Sequence, residues 1–428
     1  MKNRSLLIWV ILILITILLG SCCSTRYVEY KSKTYVPVYK DLNEIRSGLK
    51  NSPPRDLMNT GKIYFYGNYI LINEKNEGIH IIDNSNPSNP RNITFVNIPG
   101  NGDMAVKNNI LYANSYVDLV ALDISNTTSP TLVKRVNNIF PNLLEINNNA
   151  YLDPEKGLLV DFIEKDTVIK YSYRDCGDMV TSPVDSREFD NTGRDVSNDG
   201  AKGSAGSTGG VGKGGSMARF TIYDNYLYSV DRTSLQLFDI QNVSDPKVWS
   251  KVNIGWDIET IFPFRNRLFI GSTTGMFIYD VSTPWNPLLL SQFSHARACD
   301  PVVADDNYAY VTLRTGTRCG GAQNQLDILD ISNLTSPKLI KSYPMQGPAG
   351  LGIDNGILFI CDGPAGLKVF DAKNPNDIKL IDWKSDMIAF DVIPLGNTLL
   401  MIAEDGFYQY DYSNPKDLKL LSKIPVKK

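Results

Sequence analysis

One short phrase returns along the chain at intervals of about 40 residues, and this repeat constrains the fold more than any other feature. It reads GIHIIDNSNPSNP from Gly78 and QLDILDISNLTSP from Gln325. Aligned on its internal Asp, the phrase occurs at Asp83, Asp123, Asp239, Asp280, Asp330, Asp371 and Asp411. The gap between the second and third copies leaves room for a degenerate copy at residues 142–174, so the sequence predicts eight units.

Each unit reads as a small antiparallel sheet of four strands. Residues 103–136 give the apolar segments MAV, ILYA, LVAL and TLVKRV, with turn residues between them. We expect the Asp to end the third strand and its carboxylate to accept backbone N–H groups of the following turn. A Pro follows seven residues later in five units and suits the start of an outer strand, because it has no N–H to donate. These residues are Pro90, Pro130, Pro246, Pro287 and Pro337.

A Gly opens the third strand in four units, where we expect a turn with positive φ. These glycines are Gly78, Gly275, Gly366 and Gly406. A four-stranded sheet has two apolar faces and cannot bury both alone, so the sheets must pack against one another around a ring. The sequence therefore predicts an all-β fold, a β-propeller of about eight four-stranded blades over residues 62–428, with seven blades as the alternative.

The N-terminus has the pattern of a processed export signal. Lys2 and Arg4 precede an apolar run of 14 residues, Leu6 to Leu19, which is short for a membrane span of about 20 residues. The motif Leu19-Gly20-Ser21-Cys22 resembles a bacterial lipobox, in which the Cys receives diacylglycerol. This predicts a signal peptide at residues 1–21 and a lipidated tether at 22–61, with a short helix from Lys40 to Leu49. A plain N-terminal membrane anchor is the alternative.

The repeat phrases GIHIIDNSNPSNP, DLVALDISNTTSP and QLDILDISNLTSPKL resemble LVIVD repeats, which occur in exported bacterial proteins. With the lipobox, the chain is similar to the LVIVD-repeat lipoproteins of Bacteroidetes-type bacteria. The resemblance implies a propeller in the cell envelope and no particular activity. Cys23, rather than an Asp, follows Cys22, which favours the outer membrane; the periplasmic and the surface face both stay open.

Two insertions interrupt the repeat. Residues 175–216 end in the tract DGAKGSAGSTGGVGKGGS, whose composition predicts a flexible Gly-rich linker. Within it, DNTGRDVSNDG from Asp190 offers oxygen ligands without the EF-hand spacing, so calcium is a weak alternative to a solvated polar loop. Apart from that alternative, we predict no cofactor and no metal site. The second insertion is TGTRCGGAQNQ from Thr315.

The meander places the loops from strand four to the next strand one on the same face as the loops from strand two to strand three. We call this the loop-bearing face, and both insertions fall on it. The candidate ligand-binding residues of its rim are His295, Arg297, Asp300, Arg314, Arg318, Asp257, Glu259 and Asp103. Such a set could bind an anionic or sugar ligand, and the alternative is a network of salt bridges and turn caps. Cys299 and Cys319 are a candidate disulfide on the same rim, with free thiols as the alternative. His80 is predicted to be structural.

No catalytic motif is present. The chain lacks a P-loop, an H-E-x-x-H sequence and a G-x-S-x-G sequence, and its net charge of −3 gives no basic surface for nucleic acid. We therefore predict a lipid-anchored envelope propeller that serves as a binding or scaffolding module, through its loop-bearing face, for a protein or glycan partner. The alternative is a hydrolase or lyase that acts on an envelope polysaccharide or glycopeptide at the channel mouth.

Overall fold

Seven antiparallel blades of four strands each build the β-propeller that the repeat predicts, and two short strands extend the sheet of the first blade to six. The computed structural model describes residues 24–140, 152–153, 155–175, 210–294, 301–315 and 323–427. It divides into two units, Met1–Val38 with Asp161–Ala201 and Tyr39–Val160 with Lys202–Lys428, and the propeller belongs to the second. The blade number is seven, the alternative count. The degenerate copy predicted at residues 142–174 forms no blade in the part of it that the structure describes.

The strands of each blade follow one another in the chain, from the central channel outward. The chain starts with β1 (Ser24–Lys40), α1 (Leu42–Ser47) and β2 (Lys50–Ser52). Blade 1 is β3 (Thr60–Tyr66), β4 (Tyr69–Glu74), β5 (Gly78–Asp83) and β6 (Arg91–Asn97). Blade 2 is β7 (Met104–Lys107), β8 (Ile110–Ser115), β9 (Asp118–Asp123) and β10 (Thr131–Val136). In the chain, blade 2 is followed by β11 (Leu152–Asp153), β12 (Gly157–Asp175) and β13 (Lys213–Gly214), which precede blade 3.

The remaining five blades repeat this order. Blade 3 is β14 (Phe220–Tyr223), β15 (Tyr226–Val230), β16 (Ser234–Asp239) and β17 (Lys247–Asn253). Blade 4 is β18 (Ile258–Phe264), β19 (Arg267–Ser272), β20 (Gly275–Asp280) and β21 (Leu288–Ser294). Blade 5 is β22 (Val302–Ala304), β23 (Tyr308–Leu313), β24 (Gln325–Asp330) and β25 (Lys338–Pro344). Blade 6 is β26 (Leu351–Asp354), β27 (Ile357–Cys361), β28 (Leu367–Asp371) and β29 (Lys379–Lys384), and blade 7 is β30 (Ala389–Leu395), β31 (Thr398–Ala403), β32 (Gly406–Asp411) and β33 (Lys419–Pro425).

The repeated Asp forms the predicted corner in all seven blades. It ends the third strand, and its Oδ1 atom accepts a hydrogen bond from the backbone N–H two residues later, at 3.0 Å in blade 1 and 2.8 Å in blade 5. The hydroxyl and the amide of Ser85 lower the pKa of Asp83 to about 2. Each of the five prolines directly precedes an outer strand. The structural interpretation of the phrase is confirmed.

The glycines that open the third strands are needed mainly because the outer strand passes close to them. A Cβ atom on Gly78 would lie 2.0 Å from the carbonyl oxygen of Val96, and one on Gly275 would lie 2.4 Å from that of Phe293. Among the four, only Gly78 and Gly366 have positive φ, at 153° and 80°. The prediction of a positive-φ turn therefore holds for two blades, and steric exclusion accounts for the Gly in all four.

The ring closes between blades 7 and 1 without any exchange of strands, because each of these blades uses one continuous stretch of chain. An apolar cluster fills this seam with Ile63, Ile70 and Ile72 from blade 1 and Leu400, Ile402 and Phe407 from blade 7. A short parallel bridge joins Leu57 to Val426, and the amide of Lys427 donates to the Leu57 carbonyl at 2.7 Å. Gln409 of blade 7 also donates to the Asn84 side chain at 2.7 Å, and the Ser422 hydroxyl donates to the Pro87 carbonyl at 2.7 Å. Side-chain packing and a few hydrogen bonds therefore close the ring together.

Residues 24–40 form a strand, whereas the sequence predicted a tether there. β12 pairs with β1 on one side and with β11 on the other, in a separate three-stranded sheet. In the first unit, Lys170 pairs with Glu29 at 2.7 Å and the rings of Tyr30 and Tyr171 lie 5.8 Å apart. The helix α1 falls within the predicted range and begins after Asp41, whose carboxylate accepts the amide of Asn43 at 2.7 Å. Among the residues that the structure describes, no helix has the length and apolarity to cross a membrane.

Candidate site at the channel mouth and on the loop-bearing face

One position recurs in every blade where the innermost strand leaves the loop-bearing face. The first two strands of each blade form a hairpin, and the pair of residues next to its turn is Lys107 and Ile110 in blade 2. The recurring position lies four residues before the first member of this pair, which makes it Asp103 in blade 2. In blades 1 to 7 this position holds Lys62, Asp103, Arg219, Thr260, Pro301, Gly350 and Asp391. We call these seven residues the mouth ring. Its four charged members come from the neighbouring blades 7, 1, 2 and 3, and their signs alternate around the ring.

The charges of the mouth ring are paired with one another. Lys62 Nζ donates to Asp103 Oδ2 at 2.5 Å, and the amide of Arg219 donates to the same oxygen. Asp103 also accepts the amide of Met104 through Oδ1, at 2.7 Å. Because three donors from three blades converge on one buried carboxylate, Asp103 connects blades 1, 2 and 3 at the mouth.

Asp391 is the most perturbed member of the ring. Its side chain is buried, and burial raises its pKa to about 7, against hydrogen bonds from Ser216, Val392 and Met217 and the positive charge of Lys62. Oδ1 accepts the amide of Val392 at 3.0 Å and the hydroxyl of Ser216 at 3.2 Å. Oδ2 makes no hydrogen bond of ordinary geometry to any residue that the structure describes.

The end of the Gly-rich insertion passes through the central channel. We call residues 210–216 the channel segment. It begins beside the first hairpin of blade 2, where the amide of Asn108 donates to the Gly210 carbonyl at 3.0 Å, and Gly212 donates to Val106 at 3.1 Å. β13 then pairs antiparallel with the inner edge of β3, with Lys213 opposite Phe65. The segment ends at Ser216, whose hydroxyl contacts Asp391 and accepts the amide of Leu351 at 2.8 Å.

The glycines of the channel segment are required by space. A Cβ atom on Gly212 would lie 2.3 Å from the ring of Tyr64, and one on Gly215 would lie 2.0 Å from Asp391 Oδ2. Gly350 of the mouth ring leaves room for the same carboxylate, because its Cβ would lie 2.1 Å from Oδ1. The prediction of a flexible linker is therefore wrong for residues 210–216. The rest of that prediction, with the weak calcium alternative from Asp190, lies outside the described residues.

A small cavity, partly open to solvent, is left beside the channel segment. Its walls come mainly from the innermost strands of blades 4 to 7 and include Phe262, Val303 and Ile353. The side chain of Lys213 reaches across and donates to the Pro394 carbonyl at 2.9 Å. The channel is therefore largely occupied by the chain itself.

Four of the predicted rim residues lie in the described part of the chain. Asp103 belongs to the mouth ring. Arg219 connects it to Glu259, because the Arg219 Nε atom donates to the Glu259 carbonyl at 3.2 Å. Asp257 forms an ion pair with Arg232, and Arg314 directly follows β23. The other predicted residues, His295, Arg297, Asp300, Arg318, Cys299, Cys319 and Cys22, lie outside the described residues.

Sequence reasoning missed Lys62, Arg219 and Asp391. The units were aligned on the Asp corner of the third strand, which fixes the outer half of a blade. An alignment on the first hairpin would have placed these three residues in one column with Asp103. Within the described residues, no group of three His, Cys, Asp or Glu side chains could hold a metal ion. Cys361 is a buried free thiol, and burial raises its pKa well above the usual range.

The loop-bearing face also exposes Trp256, whose side chain is 79% accessible. The loop that carries it is fixed by its neighbours: Ile254 and Ile258 donate to the carbonyls of Thr233 and Arg232, each at 3.0 Å. Asp257 accepts the amide of Thr273 at 3.0 Å and has a φ of 54°, which is uncommon for a residue other than Gly. A large apolar side chain is thus held in water by a rigid loop.

Comparison with known proteins gives the family of the repeat. The LVIVD repeat family matches residues 59–97, 101–138, 214–253 and 296–344, which correspond to blades 1, 2, 3 and 5. A search of the curated proteins finds no match.

Among solved structures, a protein from Lactobacillus plantarum is similar with a TM-score of 0.52 and 13% identity, over 86% of this chain and 97% of that one. A functionally unknown protein from Desulfotomaculum acetoxidans gives 0.47 and 11%, over 85% and 95%. The designed protein Ika8 gives 0.49 and 9%, over 87% and 90%. At these identities the likeness concerns the fold alone. Four repeat matches within a ring of seven blades identify the chain as an LVIVD-repeat β-propeller protein.

Proposed function

We propose that this protein is a lipid-anchored component of the bacterial cell envelope that acts as a non-enzymatic binding or scaffolding module through its loop-bearing face. The observation that carries this proposal is Trp256, a large apolar side chain presented on that face by a fixed loop. The occupied channel supports it as well. Asp103 and Lys62 are engaged with each other, and the channel segment fills the space in which a substrate chain would lie.

The energetics of Trp256 favour a partner. An aromatic side chain contributes most to an interface when binding removes it from water, and Trp is enriched among the residues that dominate binding energy. The loop around Trp256 is already ordered by three backbone hydrogen bonds, so binding need not fix it. The Arg232–Asp257 ion pair lies next to it in the chain and provides a polar border. A protein surface or an envelope glycan fits this arrangement.

The replacement Trp256→Ala tests the contact surface. We expect it to weaken partner binding by about 2 kcal/mol or more, which is about thirtyfold in affinity. The stability should change by less than about 0.5 kcal/mol, because the side chain is mostly in water. The measurement is binding of the purified full-length protein to a panel of envelope glycans and to detergent-solubilised envelope proteins.

Trp285→Ala is the matched control, because Trp285 is 51% exposed and lies in the turn between β20 and β21, away from the loop-bearing face. We expect this variant to bind like the wild type. Equal binding by the wild type and Trp256→Ala would contradict the proposed contact surface. Release of shortened glycan products by the wild-type protein would instead support the alternative function, a hydrolase or lyase.

The membrane anchor has a separate test. We expect Cys22→Ser to abolish incorporation of labelled palmitate and to release the protein from the membrane fraction, because Cys22 is the proposed lipid acceptor. Cys23→Ala is the control and should keep both the label and the membrane location. The label is measured after expression in a bacterial host, with inner and outer membranes separated by density. Labelling that persists in Cys22→Ser would contradict the proposed anchor.

A further inference from the structure

We propose that the channel segment, residues 210–216, is a removable gate that the Asp391 carboxyl group holds in the channel and releases when it ionises. This inference goes beyond the proposed function and does not rest on Trp256, the observation that carries that function, so the two can fail separately. It rests on how the segment is held, on the surroundings of Asp391, and on what withdrawal of the segment would change.

The segment is held by few interactions. Four of its seven residues are Gly, and Val211 supplies its only apolar side chain. Ordering Gly residues carries a large entropy cost, and they bury little apolar surface in return. What fixes the segment is a small set of backbone hydrogen bonds to blades 1 and 2, the contact of the Lys213 ammonium group with the Pro394 carbonyl, and the Ser216 hydroxyl at its end. Segments with so few buried contacts open at low free energy.

The end contact depends on the charge of Asp391. With the segment in place, Gly215 lies against the carboxylate and excludes water, and Oδ2 makes no hydrogen bond of ordinary geometry to the described residues. Withdrawal of Gly215 and Ser216 would let water solvate both oxygens. A charged carboxylate therefore favours the withdrawn state and a neutral one favours the inserted state, because burial penalises the charged form.

The ionisable side chains around Asp391 include those of Lys62 and Cys361. Lys62 from β3 stabilises the negative charge, but its ammonium group is engaged with Asp103. Cys361 at the end of β27 faces Asp391 and Asp362 as a neutral thiol, since its own pKa is raised. The balance leaves the pKa of Asp391 at about 7 with the segment inserted. In the withdrawn state, water returns the pKa toward the usual 3.8.

Lys213, within the segment itself, acts in the opposite sense: burial lowers its pKa, so loss of its proton at higher pH would favour insertion. The Asp391→Asn variant keeps Lys213, so a comparison with that variant isolates the effect of Asp391.

The inserted state should become less stable as the pH rises. A group whose pKa is raised in the inserted state stabilises that state below its usual pKa, and the stabilisation is lost as the pH rises through about 7. The equilibrium constant for insertion of the segment should therefore fall about tenfold between about pH 6 and about pH 8. Withdrawal would join the cavity beside the segment to the space along β3 and β7, and would leave the inner edges of these two strands free to pair.

Trypsin cleavage after Lys213 in the purified full-length protein measures withdrawal, because a protease cannot bind this bond while β13 is paired with β3. The Asp391→Asn variant carries a neutral side chain of the same shape and corrects for the pH dependence of the enzyme. We expect the ratio of the cleavage rate of the wild type to the cleavage rate of Asp391→Asn to rise about tenfold between about pH 6 and about pH 8.

Hydrogen exchange on the wild-type protein alone is the second measurement, in case the variant folds poorly. Corrected for the intrinsic exchange rates, protection of residues 211–216 should fall over the same pH range, while protection of the third strands stays constant. A pH-independent cleavage ratio together with constant protection of the channel segment would overturn the proposal. Parallel loss of protection in all blades would do so too, because it would report global unfolding instead of withdrawal.

Discussion

Replacing His80 by Ala should cost the protein about 3–5 kcal/mol of folding free energy at neutral pH, because it leaves a buried charge without its partner. His80 Nε2 lies 2.9 Å from Glu74 Oε2, and both side chains are fully buried in blade 1. The amides of Asn59 and Met58 also donate to Glu74, and Asn92 contacts the other ring nitrogen of His80 at 3.2 Å. Removal of the imidazole deletes the main side-chain donor to this carboxylate.

The folding free energy lost in His80→Ala should depend on pH. Burial alone would raise the pKa of Glu74, but the hydrogen bonds from His80 and the two amides outweigh it and lower this pKa. A lowered pKa contributes stability that is present above the usual value of 4.5 and is lost as the pH falls below it. In His80→Ala, burial should dominate and the carboxyl group should protonate more readily. The difference in folding free energy between the wild type and His80→Ala should therefore become smaller as the pH is lowered.

Denaturant unfolding of the full-length protein at several pH values measures this effect. The double variant Glu74→Gln/His80→Ala is the control, because it buries no charge and should recover part of the loss. A loss below about 1 kcal/mol for His80→Ala, or a loss of the same size at every pH, would show that the pair does not stabilise blade 1 as the structure implies.

Phe407→Ala should be similarly damaging, at about 3–5 kcal/mol, because it opens a cavity in the seam that closes the ring. Phe407 is fully buried in the cluster that joins blade 7 to blade 1. No strand is exchanged across this seam. The hydrogen bonds that supplement the packing lie at Leu57 and between blade 7 and the corner turn of blade 1, where Gln409 and Ser422 donate to Asn84 and Pro87. We expect amides next to the seam, in β3 and β31, to lose hydrogen-exchange protection before those of blades 3 to 5.

The conservative variant Phe407→Leu keeps most of the volume and should cost less than about 1.5 kcal/mol. Differential scanning calorimetry of the three proteins gives the comparison. If Phe407→Ala lowered protection uniformly around the ring, the seam would have no special weakness, and closure would have to depend on interactions that all blades share.

The repeat could be predicted from the sequence because its signals are local. In each blade the corner Asp bonds to an amide only two residues away, and each of the five prolines stands immediately before the outer strand. The alternation of apolar segments and turns was equally sufficient for the strand order. Such features depend on neighbours in the chain, so a single copy displays them and seven copies reinforce them.

The features that were missed depend on distant parts of the chain. The tract that ends at Ser216 has the composition of a linker, and nothing in it reveals that its glycines fit against Tyr64 and Asp391 inside a channel. Likewise, residues 157–175 have enough apolar character to be taken for a degenerate copy of the repeat. In the structure they form β12, which pairs with β1 from the N-terminal segment. Long-range pairing of this kind leaves no periodic trace in either segment.

The candidate site was predicted in part for the same reason. Asp103 and Asp257 stand where loops of the meander must meet, and both form ion pairs on or next to the loop-bearing face. Asp391 carries no motif, and its importance comes from burial beneath Gly215 and Gly350. Trp256 directly precedes the predicted rim residue Asp257 but was not recognised, because exposure is a property of the folded loop.

An experimental density map of the purified full-length protein would test the central claim most directly. That claim is that seven blades surround a channel which the chain fills with its own Gly-rich segment. At slightly acidic pH, the account predicts continuous density for residues 210–216 along the inner edges of β3 and β7, with the Ser216 side chain reaching Asp391. An eighth four-stranded blade in the ring, or a channel that holds only solvent under those conditions, would contradict it.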